Sequence, residues 1–568
     1  MRRMRSLAAG AVAAAMLLLT ACTGLPTSGP VSVGLAVGVK GDDPGFTEYA
    51  ASPVEGAGPQ EIVEGFLDAG ITPIDNWSIA REFLTPEMSD SWAPSAGVTI
   101  DTSSVSRTIT SVGDSDDEDA TSADVTVQLS QVASVDSTGA YAAGIGDAEP
   151  LRFHLEREKG GEWRISEAPN GIVLDAVNFP LVFRSYALQY FDPTWSHLVP
   201  DLRWYPRRPS TATTLTQQLV AGDPAPWLAP GVRNAFTDEV GLARGAVVID
   251  QSQVAEVPLT RSALSTDATT LARMRTQLEA TLAPLGVVEV RFTVDQQPLD
   301  VSQVQVQQPA PDAGTLVLTK DGFGVAVGDE IAPVGELSAQ VDGLAARVRS
   351  IDVADDDGAA AMLLDDGHVY LATSDNVVEL DSRAGLIAPS LDNRGYTWTV
   401  PHGSPGELLA TGADVRQQKI ARAWSGASEI SALRVAADGV RVAALVTVGG
   451  QRRSVVAAVI RDDKGTPISL GEMHEIGRFT GTPQGLAWIG SDAIGVLTSS
   501  DDDRILTQPV GGPLAASAAP AEPRSLAGAR SAAGVRILSS GGVVFAQRGS
   551  TWQASLSGVL VLGTRSGE

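Results

Sequence analysis

From residue 311 to Glu568 no segment repeats its apolar residues at helical spacing. Short apolar runs are cut again and again by turn residues: 316–318 before Lys320-Asp321-Gly322, 361–364 before Asp365-Asp366-Gly367, 433–435 before Ala437-Asp438-Gly439, 442–448 before Gly449-Gly450. A chain punctuated in this way satisfies its backbone by pairing short strands through tight turns, which leaves an all-β propeller or a large sandwich. Two related phrases favour the propeller. Ser431 to Gly439 is followed by Val440-Arg-Val-Ala-Ala, and Pro483 to Ser491 by Asp492-Ala-Ile-Gly-Val-Leu. At about 40–45 residues per blade, the length accommodates five or six blades.

Upstream the periodicity differs. Pro59 opens a helix with Ile62, Val63, Phe66 and Leu67 on one face, and a second short helical run holds Ala80, Phe83 and Leu84. Alternating segments follow at Val125, Val127, Leu129 and at Leu151, Phe153, Leu155, predicting an α+β domain with an antiparallel sheet over 59–175. A second α+β unit is predicted over 179–299. Its strongest element is a helix over 267–283, with Leu271, Met274, Leu278 and Leu282 on one face, Thr266 or Asp267 as cap, and Pro284 and Gly286 as terminators. A helix near 213–221 and strands at 185–191, 232–242, 246–250, 253–257 and 288–294 complete a small sheet carrying two helices.

The N-terminus has a different function. Arg2, Arg3 and Arg5 precede an apolar run over 7–19, and Leu19-Thr20-Ala21 precedes Cys22, the single cysteine among 568 residues. A run of that length, at about 1.5 Å per residue, is short for a hydrocarbon core of about 30 Å and reads as an export signal over 1–21. Leu19, Thr20 and Ala21 form a lipobox, with Cys22 as the lipidated residue and mature N-terminus. Residues 22–58 are rich in Gly and Pro and read as a lipidated tether with an end-to-end distance of about 30 Å.

Lone Cys22 excludes an intrachain disulfide scaffold and a cysteine-based zinc site. With 41 Lys plus Arg against 68 Asp plus Glu, a formal charge of −27 speaks against nucleic-acid binding, which requires a cationic face. Removing the leader strips three arginines and no acid, so anionic lipid attracts the mature chain only through its acyl chains.

No catalytic, cofactor-binding or metal-ligating set emerges. His474-Glu475 begins like a zincin motif, but position 478 is Arg. The other histidines, His154, His197, His368 and His402, are scattered. Gly144-Ile-Gly146 lacks a third glycine, and the acidic run over 114–119 reads as a solvated loop. Asp355-Asp356-Asp357-Gly358 and Asp501-Asp502-Asp503 lack EF-hand spacing and read as turns, with a Ca²⁺-stapled loop as the alternative. Trp195, Trp204, Trp398, Trp424 and Trp488 read as core, or alternatively as the lining of a groove.

The order of these pieces resembles the actinobacterial LpqB lipoprotein family along nearly the whole chain. The resemblance is carried by Leu19 to Cys22, by residues 62–67 with 80–86, by a middle unit similar to a GerMN domain, and by residues 391–398 with 435–443. It implies a multidomain protein: lipoprotein signal and tether, N-terminal α+β domain, GerMN-like α+β domain over 179–299, and all-β propeller over 311–568. It further implies a non-catalytic accessory without cofactor, lipid-anchored on the extracytoplasmic face of the cell membrane. The implied partner is the extracytoplasmic domain of an MtrB-type sensor histidine kinase, in the MtrA/MtrB system that controls cell-wall metabolism and division. The sequence leaves two other readings open: binding of peptidoglycan or another wall polymer, and an envelope propeller hydrolase.

Overall fold

A computed structural model describes residues 50–112, 120–144, 149–157, 161–243, 245–307, 314–328, 330–500, 502–549 and 551–567. Cys22, the lipobox residues Leu19, Thr20 and Ala21, the leader, the tether up to residue 49 and the acidic run over 114–119 lie outside these residues.

The first helix, Pro59–Asp68, starts at a proline whose missing N–H costs nothing there, and the Glu61 carboxylate accepts the Gly58 amide at 2.9 Å. Its apolar face of Ile62, Val63, Phe66 and Leu67 is buried. Gly65 must be glycine, since a Cβ there would lie 2.5 Å from the Phe83 ring. The expected antiparallel sheet is in fact two four-stranded sheets. One joins Thr108–Val112, Ser122–Gln128, Leu151–Glu156 and Arg164–Glu167; the other joins Tyr141–Ala143, Gln131–Asp136, Gly97–Asp101 and Ile172–Asp175, and its last pair is parallel. Both contribute to one core with the helix.

In the middle region a long hairpin, Phe183–Phe191 with Leu198–Pro206, stands beside a four-stranded sheet in which Val254–Pro258 and Glu289–Val294 run parallel. The parallel pair demands a crossover, and helix Ala268–Leu282 supplies it, capped by Asp267, whose carboxylate accepts the Thr270 amide at 3.0 Å. The segment expected as a strand over 232–242 makes only isolated bridges, Phe191 with Arg233 and Leu242 with Leu259. Side chains hold it instead: Gln277 accepts the Ala235 amide at 2.8 Å, and Asn234 donates to the Leu219 carbonyl at 2.8 Å. Its apolar residues are buried by these side-chain anchors rather than by a ladder.

Among the described residues from Gly314 onward, six sheets form the blades. Their innermost strands, Val348–Val353, Ser390–Leu391, Glu429–Val435, Thr482–Ile489, Pro523–Ala527 and Val559–Leu562, neighbour one another in that order, and the last returns to the first. The ring is therefore closed. Val559–Leu562 is the innermost strand of the blade whose other strands, Thr315–Thr319, Gly322–Val327 and Glu330–Ala332, come from the start of the region. Helix is not wholly absent, contrary to the periodicity: Leu337–Asp342 forms one short helix between two blades, burying Leu337 and Val341. Six residues are too few to register as a repeat.

Candidate functional site

The residue pairs that could carry chemistry are engaged in structure. His154 Nδ1 meets Asp124 at 2.7 Å, and that hydrogen bond, against opposing burial, raises the imidazole above its usual value. His402 Nδ1 meets the Ile430 carbonyl at 2.7 Å, and His368 lies 3.2 Å from Glu379 on the surface. His474 stacks on Trp227 with ring centres 5.5 Å apart, and burial lowers its pKa. Arg478, which stands where a zincin would have its second histidine, donates to Glu475. Among the described residues no group of three His, Cys, Asp or Glu side chains is placed to hold a metal ion, and no helix is long and apolar enough to cross a membrane.

The nearest approach to a triad is Asp192, Ser196 and His197, with Ser196 Oγ 3.0 Å from His197 Nδ1. The carboxylate does not orient the imidazole. It accepts the amides of Thr194, Ser196 and His197 at 3.2, 2.7 and 2.8 Å, forming a local turn, and pairs with Arg394 at 3.0 Å.

That pair belongs to a junction between the middle region and the propeller. Asp392 accepts Trp398 Nε1 at 3.0 Å and Arg461 Nη2 at 2.7 Å, while its other oxygen accepts the Arg394 and Tyr396 amides at 2.9 Å. Asn393 donates to the Ala437 carbonyl at 3.0 Å, and a Cβ on Gly439, at φ +67°, would lie 2.1 Å from the Asn393 oxygen. Residues 391–398 and 435–443 thus meet each other, and their pattern is that of a structural seam. Alongside, Trp227, Leu228 and Val199 pack into the apolar cluster of Val440, Val456, Leu486 and Trp488, and Trp204 donates from Nε1 to the Gly511 carbonyl at 2.8 Å. Burying such aromatic and aliphatic side chains contributes on the order of 1.5–3 kcal/mol each.

Burial opposes ionisation of Asp192, but the Thr194 hydroxyl and the amides of His197, Ser196 and Thr194 outweigh it and hold the carboxyl below its usual value. A depressed carboxyl contributes stability above the unfolded value of about 3.9 and loses it as pH falls through the folded value. Asp192→Asn is expected to cost about 3 kcal/mol at neutral pH, from breaking a buried pair. Below about pH 3.9 the melting temperature of the parent should fall faster than that of the variant, so that the two converge. Parallel thermal melts from neutral to acid pH check this.

A broad concavity lies at the other ends of these strands. A groove of about 760 Å³ between the blades of Glu429–Val435 and Thr482–Ile489 is lined by Glu429, Arg452, Arg478, Phe479, Arg504 and Leu514, among others. Arg452 donates to the Gly481 carbonyl at 2.6 Å, and Arg504 is half-exposed beside Asp502. Charged and polar side chains make up most of the groove lining, with Phe479, Leu506 and Leu514 as its apolar members.

Near the axis, at the seam end, Thr564–Arg565 runs parallel to the innermost strand at Asp352 and Val353, and Gly567 bridges to Ala436. Asp352 is fully buried, accepts from Thr564 Oγ1 and from the Leu391 amide, and has its pKa raised by burial. The expected turn over 355–358 is present, with Asp356 accepting the Gly358 amide at 2.9 Å and Asp357 pairing with Arg565. Trp398, Trp424 and Trp488 are core residues. Trp195 is partly buried under Arg273, and Trp204, though buried, also borders a cleft.

Two family descriptions match in the order of these regions: "Lipoprotein LpqB, N-terminal domain" over residues 52–180 and "Lipoprotein LpqB beta-propeller domain" over 314–560. The chain is similar to Lipoprotein LpqB of Streptomyces avermitilis, 28% identical with 87% of each chain covered. It is likewise similar to Lipoprotein LpqB of Rhodococcus opacus, 26% identical with 89% of this chain and 87% of that one covered. Among solved structures, TolB from Acinetobacter baumannii is similar at 12% identity and a TM-score of 0.33, covering 57% of this chain and 99% of that one. With both outer regions matched in order and the relatives spanning most of its length, the chain belongs to the LpqB lipoprotein family.

Proposed function

We propose that the protein is a non-catalytic, lipid-anchored accessory on the extracytoplasmic face of the membrane, with a GerMN-like middle domain, that modulates an MtrA/MtrB-type two-component system. It does so by docking on the extracytoplasmic part of the sensor kinase. The observation that carries this reading is the open groove lined by charged residues at the end of the propeller away from the seam. Anchoring adds effective concentration: a tethered head confined with its partner in one membrane needs only modest contact affinity.

The test is capture of the full-length lipidated protein from envelopes. The kinase is expected to come with the parent. Arg452→Glu with Arg504→Glu should reduce capture at least about tenfold, since reversing these charges turns steering into repulsion. Capture of a wall polymer without the kinase would overturn the reading in favour of wall binding.

A further inference from the structure

A second cavity, of about 210 Å³, opens between the N-terminal region and the middle region. Its lining includes Trp77, Phe183, Trp204 and Tyr205. The polar tips of three of these are engaged elsewhere: Trp77 Nε1 donates to the Gly70 carbonyl at 2.9 Å, Trp204 Nε1 to Gly511, and the Tyr205 hydroxyl to the Thr138 carbonyl at 2.7 Å. None of these tips is free to meet a ligand in the cleft.

Arg208 lines the same cleft, its guanidinium carbon 4.2 Å from the centre of the Trp77 ring. Its Nε and Nη2 are buried with no hydrogen-bond partner, and it makes no ion pair among the described residues. Burial alone lowers its pKa, in contrast to Arg203 nearby, which is held by Asp201. An arginine keeps its charge, so an unpaired buried fork is a demand for an anion.

We infer that this cleft is a binding site for a small carboxylic acid with a ring-shaped apolar face, the carboxylate pairing with the Arg208 guanidinium and the ring lying against the aromatic lining. A guanidinium pairs with a carboxylate through charge-assisted hydrogen bonds. A single unpaired cation balances a monoanion. The volume falls below the range of about 300–1,000 Å³ usual for drug-sized ligands, which limits the body to about one ring. Sugar rings and aryl rings both offer such a face. The site is independent of the groove on the propeller and of the kinase reading, so either can fail without the other.

The experiment uses full-length protein in nanodiscs, with ligand-observed NMR and calorimetry. The probes are N-acetylmuramate against N-acetylglucosamine, which share a sugar ring but differ in the carboxylate, and phenylacetate against phenylethanol. At least one acid should bind, and its uncharged analogue should bind at least about tenfold more weakly, as expected on loss of a charge-assisted pair. Which acid binds assigns the ring as sugar or aryl. Arg208→Gln should abolish binding, and Arg208→Lys should weaken it at least about tenfold because an ammonium lacks the fork. Arg208 also packs on Trp77, so Ser137→Trp, at an exposed position bordering the cleft, serves as a block that leaves the arginine in place. It too should abolish binding. No acid binding at about 10 mM, equal binding of acid and analogue, or unchanged binding in Arg208→Gln or Ser137→Trp would overturn the site.

Discussion

Truncation after Gly558 is expected to prevent the propeller from reaching a stable fold. Val559–Leu562 pairs with Thr315–Thr319 through Val317 with Leu562 and Leu318 with Val561, closing the first blade with chain from the end of the region. Val559, Val561 and Leu562 are 3%, 6% and 5% exposed, so all three lose their burial together. At about 1.5–3 kcal/mol per side chain the loss is of the order of 5–9 kcal/mol, comparable with the whole stability of a typical domain at about 5–15 kcal/mol. The segment beyond adds the contacts of Thr564 with Asp352 and of Arg565 with Asp357, leaving a buried carboxylate without its hydroxyl donor if removed. The freed edge of Thr315–Thr319 would then template aggregation. Expression of the truncated chain should give insoluble protein or a far lower melting temperature. A soluble monomer melting with the parent would contradict closure by this strand.

Cys22→Ala is expected to release the protein from the membrane or leave it unprocessed. If Leu19-Thr20-Ala21-Cys22 is read as a lipobox, the thiol is the only attachment point for acyl chains, because the sequence holds no other cysteine. Each buried CH₂ contributes about 0.8 kcal/mol, and firm anchoring takes two chains rather than one. Once the leader is cleaved nothing else compensates, since a chain that has lost three arginines and no acid from a net charge of −27 is repelled by anionic headgroups. Fractionation followed by mass measurement of the N-terminus checks this. Unchanged membrane retention with normal processing would refute the lipobox reading.

Locally periodic elements are legible in the sequence itself. The helix expected over 267–283 is Ala268–Leu282, with Asp267 as its cap, because apolar spacing and a capping carboxylate are properties of consecutive residues. The turns at Asp365-Asp366-Gly367 and Ala437-Asp438-Gly439 fall between paired strands for the same reason; Gly367 and Gly439 take φ of +81° and +67°. The segment over 232–242 misled, since its buried Phe236 and Val240 signal burial without saying what satisfies the backbone. There the Gln277 amide does so, from a helix some forty residues away.

Spacing along the chain thus established the all-β nature of the last half and the amphipathic elements before it, since each arises from hydrophobic period and turn chemistry within a few residues. It did not contain the ring closure by Val559–Leu562, the seam through Asp192, Arg394 and Asp392, or the meeting of Arg208 with Trp77. Each of these depends on residues that are distant in sequence becoming neighbours. A period reports that a side chain must be buried or paired; the partner it finds is set by how whole blades and domains pack, where burial of apolar surface and the cost of an unpaired charge are settled together.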